Sequence, residues 1–230
     1  EEGMHNYKIS PSGKYFLDTY SNTKTPRITN LISSEGKLIR KLLESKNPLQ
    51  DYKLGESSVF KIKAADNKTD LYAWMIKPLN FDPSKKYPAI IYVYGGPHAQ
   101  MITNSWNAGI SLWEYYMANL GYVVLTIDNR GSSNRGFEFE SCIHRNLGDI
   151  EAADQMKGVE YLKSLGYVDM EKIGVHGWSY GGFMTISLLT KHNDIFKAGV
   201  AGGPVIDWKY YEIMYGERYM DSPDENPEGY

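Results

Sequence analysis

Gly177-Trp178-Ser179-Tyr180-Gly181, followed by Gly182, is the stretch of this 230-residue chain whose residue types and spacing bear most directly on chemistry. A serine between glycines at that spacing is the pattern of a nucleophile elbow, a sharp strand-to-helix turn that lifts a hydroxyl clear of a sheet. A Cβ at either flanking glycine would collide with neighbouring backbone, so only glycine is expected to fit. The N–H of the next residue, Tyr180, then points to where a tetrahedral oxyanion would form. Its surroundings suit the motif: Lys172-Ile173-Gly174-Val175-His176 reads as a buried strand, and Phe183 to Thr190 as a mostly apolar helix beginning after the glycines. Upstream, Tyr94 ends a strand and opens Tyr94-Gly95-Gly96-Pro97-His98, the loop that furnishes the second oxyanion donor in such folds. A phenol there is expected to donate its O–H in place of a backbone N–H.

A serine hydroxyl is a poor nucleophile unless a base takes its proton, and a carboxylate usually holds that base in its tautomer. The order expected after this type of elbow is Ser, then Asp or Glu, then His. His192 is the histidine that follows Ser179, and it falls at the far end of the same helix, about 20 Å away. That is far beyond hydrogen-bond reach. His176 reads as structural within the strand, while His98 and His144 lie in loops with the wrong chain order. The chain therefore reads as a piece of a longer enzyme, cut before its base, and is expected to be inactive alone.

The elements that must position these groups fall into two parts. Residues 1–50 show short alternating segments, such as Tyr7–Ser10, Lys14–Asp18 and Arg27–Leu31, separated by Pro11-Ser12-Gly13 and Ser21-Asn22-Thr23-Lys24. This is antiparallel β structure with the strand spacing of one β-propeller blade, a unit that cannot bury its own faces alone. Residues 51–230 begin with a hairpin of Ser57–Ile62 and Leu71–Ile76 and then alternate strands with helices. Ala89–Tyr94 and Tyr122–Ile127 are continuous apolar runs suited to parallel strands buried on both faces. A helix is expected around Ile110–Leu120, ended by Gly121. A second spans Asp149–Leu165, with Ile150, Ala153, Val159, Leu162 and Leu165 inward; the carboxylates of Asp149, Glu151 and Asp154 should be solvated near its N-terminus. Phe196–Ala201 is a further strand. The fold class is α/β: a truncated α/β-hydrolase sheet, site at its strands' carboxyl ends, preceded by a terminal propeller blade.

Composition narrows the partners. A formal net charge of −3 and a pI near 6.0 give no electrostatic reason to expect nucleic acid. No run of about 18 apolar residues offers a membrane span. The single cysteine, Cys142, excludes an internal disulfide and a cysteine-rich metal site. No metal or other cofactor is expected, and the first residues carry no signal-peptide pattern.

Several motifs together resemble the dipeptidyl peptidase IV branch of the prolyl oligopeptidase family: Val93-Tyr94-Gly95-Gly96-Pro97, Asp128-Asn129-Arg130-Gly131-Ser132, Gly166-Tyr167-Val168-Asp169, the elbow itself, and Trp208 through Met220. The likeness runs from about residue 51 to the end. It implies a serine peptidase releasing N-terminal dipeptides with proline or alanine in second position. Ser179 would be the nucleophile, and Tyr94 and the Tyr180 N–H the oxyanion hole. Tyr180, Val205, Trp208, Tyr211 and Tyr215 would line the proline pocket. It also implies a peptide substrate, a triad Asp and His beyond this chain, amine-gripping propeller glutamates before it, a homodimer in the full-length protein and an extracytoplasmic location, periplasmic or secreted. Glu212 stands where mammalian relatives carry Asp. Without the likeness, the tyrosine cluster reads equally as ordinary core. Two other readings stay open: an acylaminoacyl peptidase or esterase using the same elbow, and a non-catalytic chain that kept the fold.

Overall fold

A computed structural model gives the fold of residues 2–230, which divide into two compact units. The first holds the residues up to Lys53 together with Ile102–Leu112. Its strands are β1 (Met4–Ile9), β2 (Tyr15–Ser21), β3 (Ile28–Ser33) and β4 (Leu38–Glu44), adjacent in that order and antiparallel throughout. The reversal after β2 is an Asx turn, in which Asn22 Oδ1 accepts the N–H groups of Lys24 and Thr25 at 3.0 and 2.8 Å. Burial is confined to the central strands: β1 and β4 expose every residue, whereas Tyr20 and Ile28 are buried. That is the expected profile of a propeller blade. The segment 102–112, placed by the sequence reading within the second part, is tied to this sheet instead. The Met4 N–H donates to the Asn104 carbonyl (3.0 Å) and the Trp106 N–H to Ser21 Oγ (3.1 Å).

The second unit is built on a mixed six-stranded sheet. In chain order its elements are β5 (Ser57–Lys63), β6 (Asp70–Ile76), β7 (Tyr87–Tyr92), α1 (Leu112–Asn119), β8 (Val123–Asp128), α2 (Phe137–Ser141), α3 (Asp149–Ser164), β9 (Val168–Trp178), α4 (Tyr180–Lys191), β10 (Phe196–Gly202) and α5 (Ile213–Met220). The spatial order is β10-β9-β7-β8-β6-β5. β5 and β6 form the expected hairpin, closed by Asp66, whose carboxylate accepts the N–H groups of Lys68 and Thr69. β7, β8, β9 and β10 run parallel. From β7 the chain crosses to β8 on one side, then returns through α3 to β9 on the other. This reversal makes the gap between the carboxyl ends of β7 and β9 a topological switch point, where open α/β sheets bind ligands.

β8 is buried along its whole length, as its apolar run requires. β7 alternates instead, with Ala89 and Ile91 buried but Ile90 and Tyr92 half-buried. Ile90 opens onto a cleft of about 640 Å³ lined also by Trp113, Met117, Val175, His176 and Val200. Neither Ser179 nor the aromatic residues proposed for the pocket line that cleft. Among the described residues no helix is long and apolar enough to cross a membrane.

Candidate active site

Ser179 sits between the end of β9 and the start of α4 with φ 58° and ψ −116°, a conformation L-residues adopt only under constraint. The constraint is visible on both sides. Its N–H donates to the Gly202 carbonyl at the end of β10 (2.8 Å), and its carbonyl accepts from the Phe183 N–H (3.1 Å). A Cβ on Gly177 would strike the carbonyls of Val93 and Gly181, and one on Gly181 would strike the Val93 carbonyl. Backbone from the elbow and from the end of β7 is thus packed closer than any side chain allows. The helix begins at Tyr180 itself, immediately after the serine, so both following glycines lie inside its first turn. As the first residue of α4, Tyr180 has an N–H without an intrahelical acceptor. The serine is half-buried at this tip.

Tyr94 lies just beyond the end of β7 rather than within it, in the loop facing the elbow. Its ring centroid is 6.1 Å from that of Tyr180. Gly96 fits between the two rings, where a Cβ would come within 2.8 Å of Tyr180 Cγ and 2.9 Å of Tyr94 Cε1. Burial, and then the neighbouring Tyr211 and Tyr219 phenols, hold the Tyr94 hydroxyl above the usual tyrosine range. It therefore remains an O–H donor at neutral pH. The loop is anchored from below. Asn129, fully buried, donates through Nδ2 to the Gly95 carbonyl (3.0 Å), and its Oδ1 accepts from Gln155 Nε2 of α3 (2.9 Å).

Behind these donors lies an aromatic cluster. Trp208 packs against Tyr180 (5.7 Å between centroids), stacks nearly parallel on Tyr215 (5.9 Å, 5°) and meets Tyr211 edge-on (5.8 Å). Tyr215 in turn meets Tyr211 at 5.4 Å. Val205 is buried in the same apolar core as Tyr180 and Trp208, while Tyr211 remains partly open to solvent. Two buried donors here, Trp208 Nε1 and Tyr215 Oη, have no hydrogen-bond partner among the described residues. Such orphans are uncommon in buried clusters. Burial first, then nearby phenols, raises the Tyr215 hydroxyl, keeping it protonated.

The acids of α3 correct the sequence reading. Asp149 is solvated and paired with Lys191, but Glu151 and Asp154 are wholly buried, and Ala153, expected inward, is exposed. The buried face is Glu151, Ala152, Asp154, Gln155, Gly158, Val159 and Leu162. Burial is tolerated because each carboxylate accepts hydrogen bonds, most of them from donors distant in sequence. Asp154 accepts from Arg130 Nε (2.9 Å), Nη2 (2.8 Å) and backbone N–H (3.0 Å), and from the Ala65 N–H (2.8 Å). Glu151 accepts from the Gly148 N–H (2.9 Å) and the Tyr180 hydroxyl (2.6 Å). Burial pushes Glu151 up to about 7, against the opposing pull of those hydrogen bonds. The spacing Glu151, Asp154, Gln155 was the available signal: these polar residues share one helical face with Val159 and Leu162.

Four of the five histidines have side-chain partners. His5 pairs with Asp18 in the first unit, His98 with Glu140, and His144 lies 3.6 Å from Asp221. His176 Nδ1 faces the Val200 carbonyl (2.8 Å), with its ring against Trp113 and Tyr92. His192 terminates α4.

Residues 109–230 match the prolyl oligopeptidase family. Dipeptidyl peptidase 8 of Mus musculus is 38% identical over 98% of this chain and 26% of its own length. A Bacteroides ovatus protein provisionally described as a dipeptidyl aminopeptidase IV superposes with a TM-score of 0.97 at 56% identity, over 100% of this chain and 33% of its own. Dipeptidyl peptidase 4 of Porphyromonas gingivalis gives 0.92 at 37% identity, over 99% and 32%. The chain thus spans about a quarter to a third of the length of these relatives.

Proposed function

The chain belongs to the prolyl oligopeptidase family, and from that premise we propose that it supplies the nucleophile, oxyanion donors and proline pocket of a serine dipeptidyl peptidase. The reading rests chiefly on the strained turn at Ser179 lying against the Tyr94 loop at the sheet's switch point. In this mechanism Ser179 Oγ attacks the carbonyl carbon of the substrate's second residue. The developing oxyanion accepts hydrogen bonds from the Tyr94 hydroxyl and the Tyr180 N–H. Collapse expels the remaining peptide as an amine and leaves the dipeptide esterified to Ser179, and water then releases it. The flat ring of proline, or the small methyl of alanine, suits a pocket walled by Tyr180, Val205, Trp208, Tyr211 and Tyr215.

Proton transfer from Ser179 needs a base; four histidines pair elsewhere and His192 lies at the far end of α4, so the role falls to residues elsewhere in the full-length gene product. The 230-residue chain on its own is accordingly expected to show no turnover. The names of the related dipeptidyl peptidases favour removal of dipeptides over the acylaminoacyl peptidase and esterase alternatives. Chromogenic Ala-Pro and Gly-Pro substrates, compared with acetyl-Ala and butyrate esters, test the choice on the full-length product. Preferential hydrolysis of the free-amine dipeptides is expected. A preference for the blocked or ester substrates would overturn it.

A further inference from the structure

Glu151 has no part in the chemistry just described, yet its carboxylate is fully buried directly beneath the site. Burying an ionisable group is expensive unless it makes specific bonds, and this one makes two. Through Oε2 it accepts the N–H of Gly148 at the start of α3, and through Oε1 it accepts the Tyr180 hydroxyl at 2.6 Å. Tyr180 is unusual in its double duty. Its buried ring packs against Tyr94, Phe183 and Trp208, in the cluster proposed to receive the proline ring. Its backbone N–H opens α4 right after Ser179. One turn further along the same face of α3, Gln155 holds Asn129, which holds the Gly95 carbonyl beside Tyr94. A single helix therefore reaches both oxyanion donors by separate polar contacts.

We infer that Glu151 is a positioning residue for Tyr180, fixing the pocket wall and the oxyanion amide together by tying the phenol to the N-terminus of α3. The inference rests on the proposed role of Tyr180. A donor displaced by about 1 Å can lose about a hundredfold in rate, so the anchor should matter for turnover without touching substrate.

The test uses the full-length gene product and the variants Glu151→Gln, Tyr180→Phe and the double variant, with active sites titrated by a fluorophosphonate. Glu151→Gln keeps the volume but cannot accept both hydrogen bonds, and Tyr180→Phe removes only the hydroxyl. Expected for each single variant is a fall of about 10- to 100-fold in kcat/KM per titrated site on a Gly-Pro substrate. The double variant should be no worse than the weaker single, since both remove one interaction. Unchanged turnover per titrated site, with only the titratable fraction reduced, would reduce Glu151 to a fold-stabilising role and overturn the inference. So would losses that multiply in the double variant. If Glu151→Gln does not fold, Tyr180→Phe decides alone: turnover per site within about threefold of wild type refutes the link. Failure of the wild-type protein to be labelled at Ser179 would instead defeat the functional reading itself.

Discussion

At the scale of single residues, the chemistry divides between groups that act on the transition state and groups that hold them. Tyr94 is proposed for the first kind. Its hydroxyl is held in the protonation state of a donor, and its ring lies 6.1 Å from that of Tyr180 beside the elbow. Tyr94→Phe in the full-length product is expected to lower kcat by about 100- to 1000-fold with little change in KM, because the bond forms only as the oxyanion develops. An equal effect on KM would point to ground-state binding instead. Glu151 belongs to the second kind and carries a pH signature. Burial pushes it up to about 7 in the folded protein, against about 4.3 when unfolded. Between those values the folded protein keeps a proton that the unfolded chain has released, so its stability falls as pH rises through the window. Relative to Glu151→Gln, wild type should lose roughly 3 kcal/mol between pH 4 and pH 8 in denaturant melts. A pH-independent difference would show that the carboxyl is not perturbed. Ser179 and Tyr94 stand out in the sequence because each sits in a local glycine motif, whereas the aromatic residues are named only through the family likeness. The pairing of Glu151 with Tyr180 cannot be read there, because the two lie on different elements and only the fold brings them together.

Among the elements, α3 is the one whose inward face the sequence misplaces. The periodicity points to an apolar stripe, whereas the helix buries Glu151, Asp154 and Gln155 beside Val159 and Leu162. The donors that make this possible come from the β8–α2 connection, the β5–β6 turn and α4. β8 and the β5–β6 hairpin follow directly from apolar runs and turn residues. Asp154→Ala should destabilise the protein by about 3–5 kcal/mol, because it strands the Arg130 guanidinium and the Ala65 N–H without their shared acceptor. Chemical denaturation measures this, and a loss below about 1 kcal/mol would mean that water replaces the carboxylate. Gly181→Ala tests the elbow's packing in the same way. The new methyl meets the Val93 carbonyl, and a loss of about 1–3 kcal/mol is expected. Full retention of the wild-type melting temperature would show that the turn is looser than drawn.

For the molecule as a whole, the sheet supplies what no single motif does. Its order places the loops after β7 and β9 side by side at the reversal of the chain, so that the Tyr94 loop and the Ser179 turn converge although they are far apart in sequence. The residues following β10 then deliver Val205, Trp208, Tyr211 and Tyr215 to the same end. Alternation of strands and helices announces this class of fold. The packing of segment 102–112 with the first unit depends instead on long-range hydrogen bonds that no local pattern encodes. The central claim, that Ser179 is an activated nucleophile, is tested most directly by treating the full-length gene product with a fluorophosphonate and mapping the adduct by peptide mass spectrometry. The account predicts one adduct on Ser179, absent from Ser179→Ala. A folded protein left unmodified at Ser179, or modified at a different serine, would contradict it.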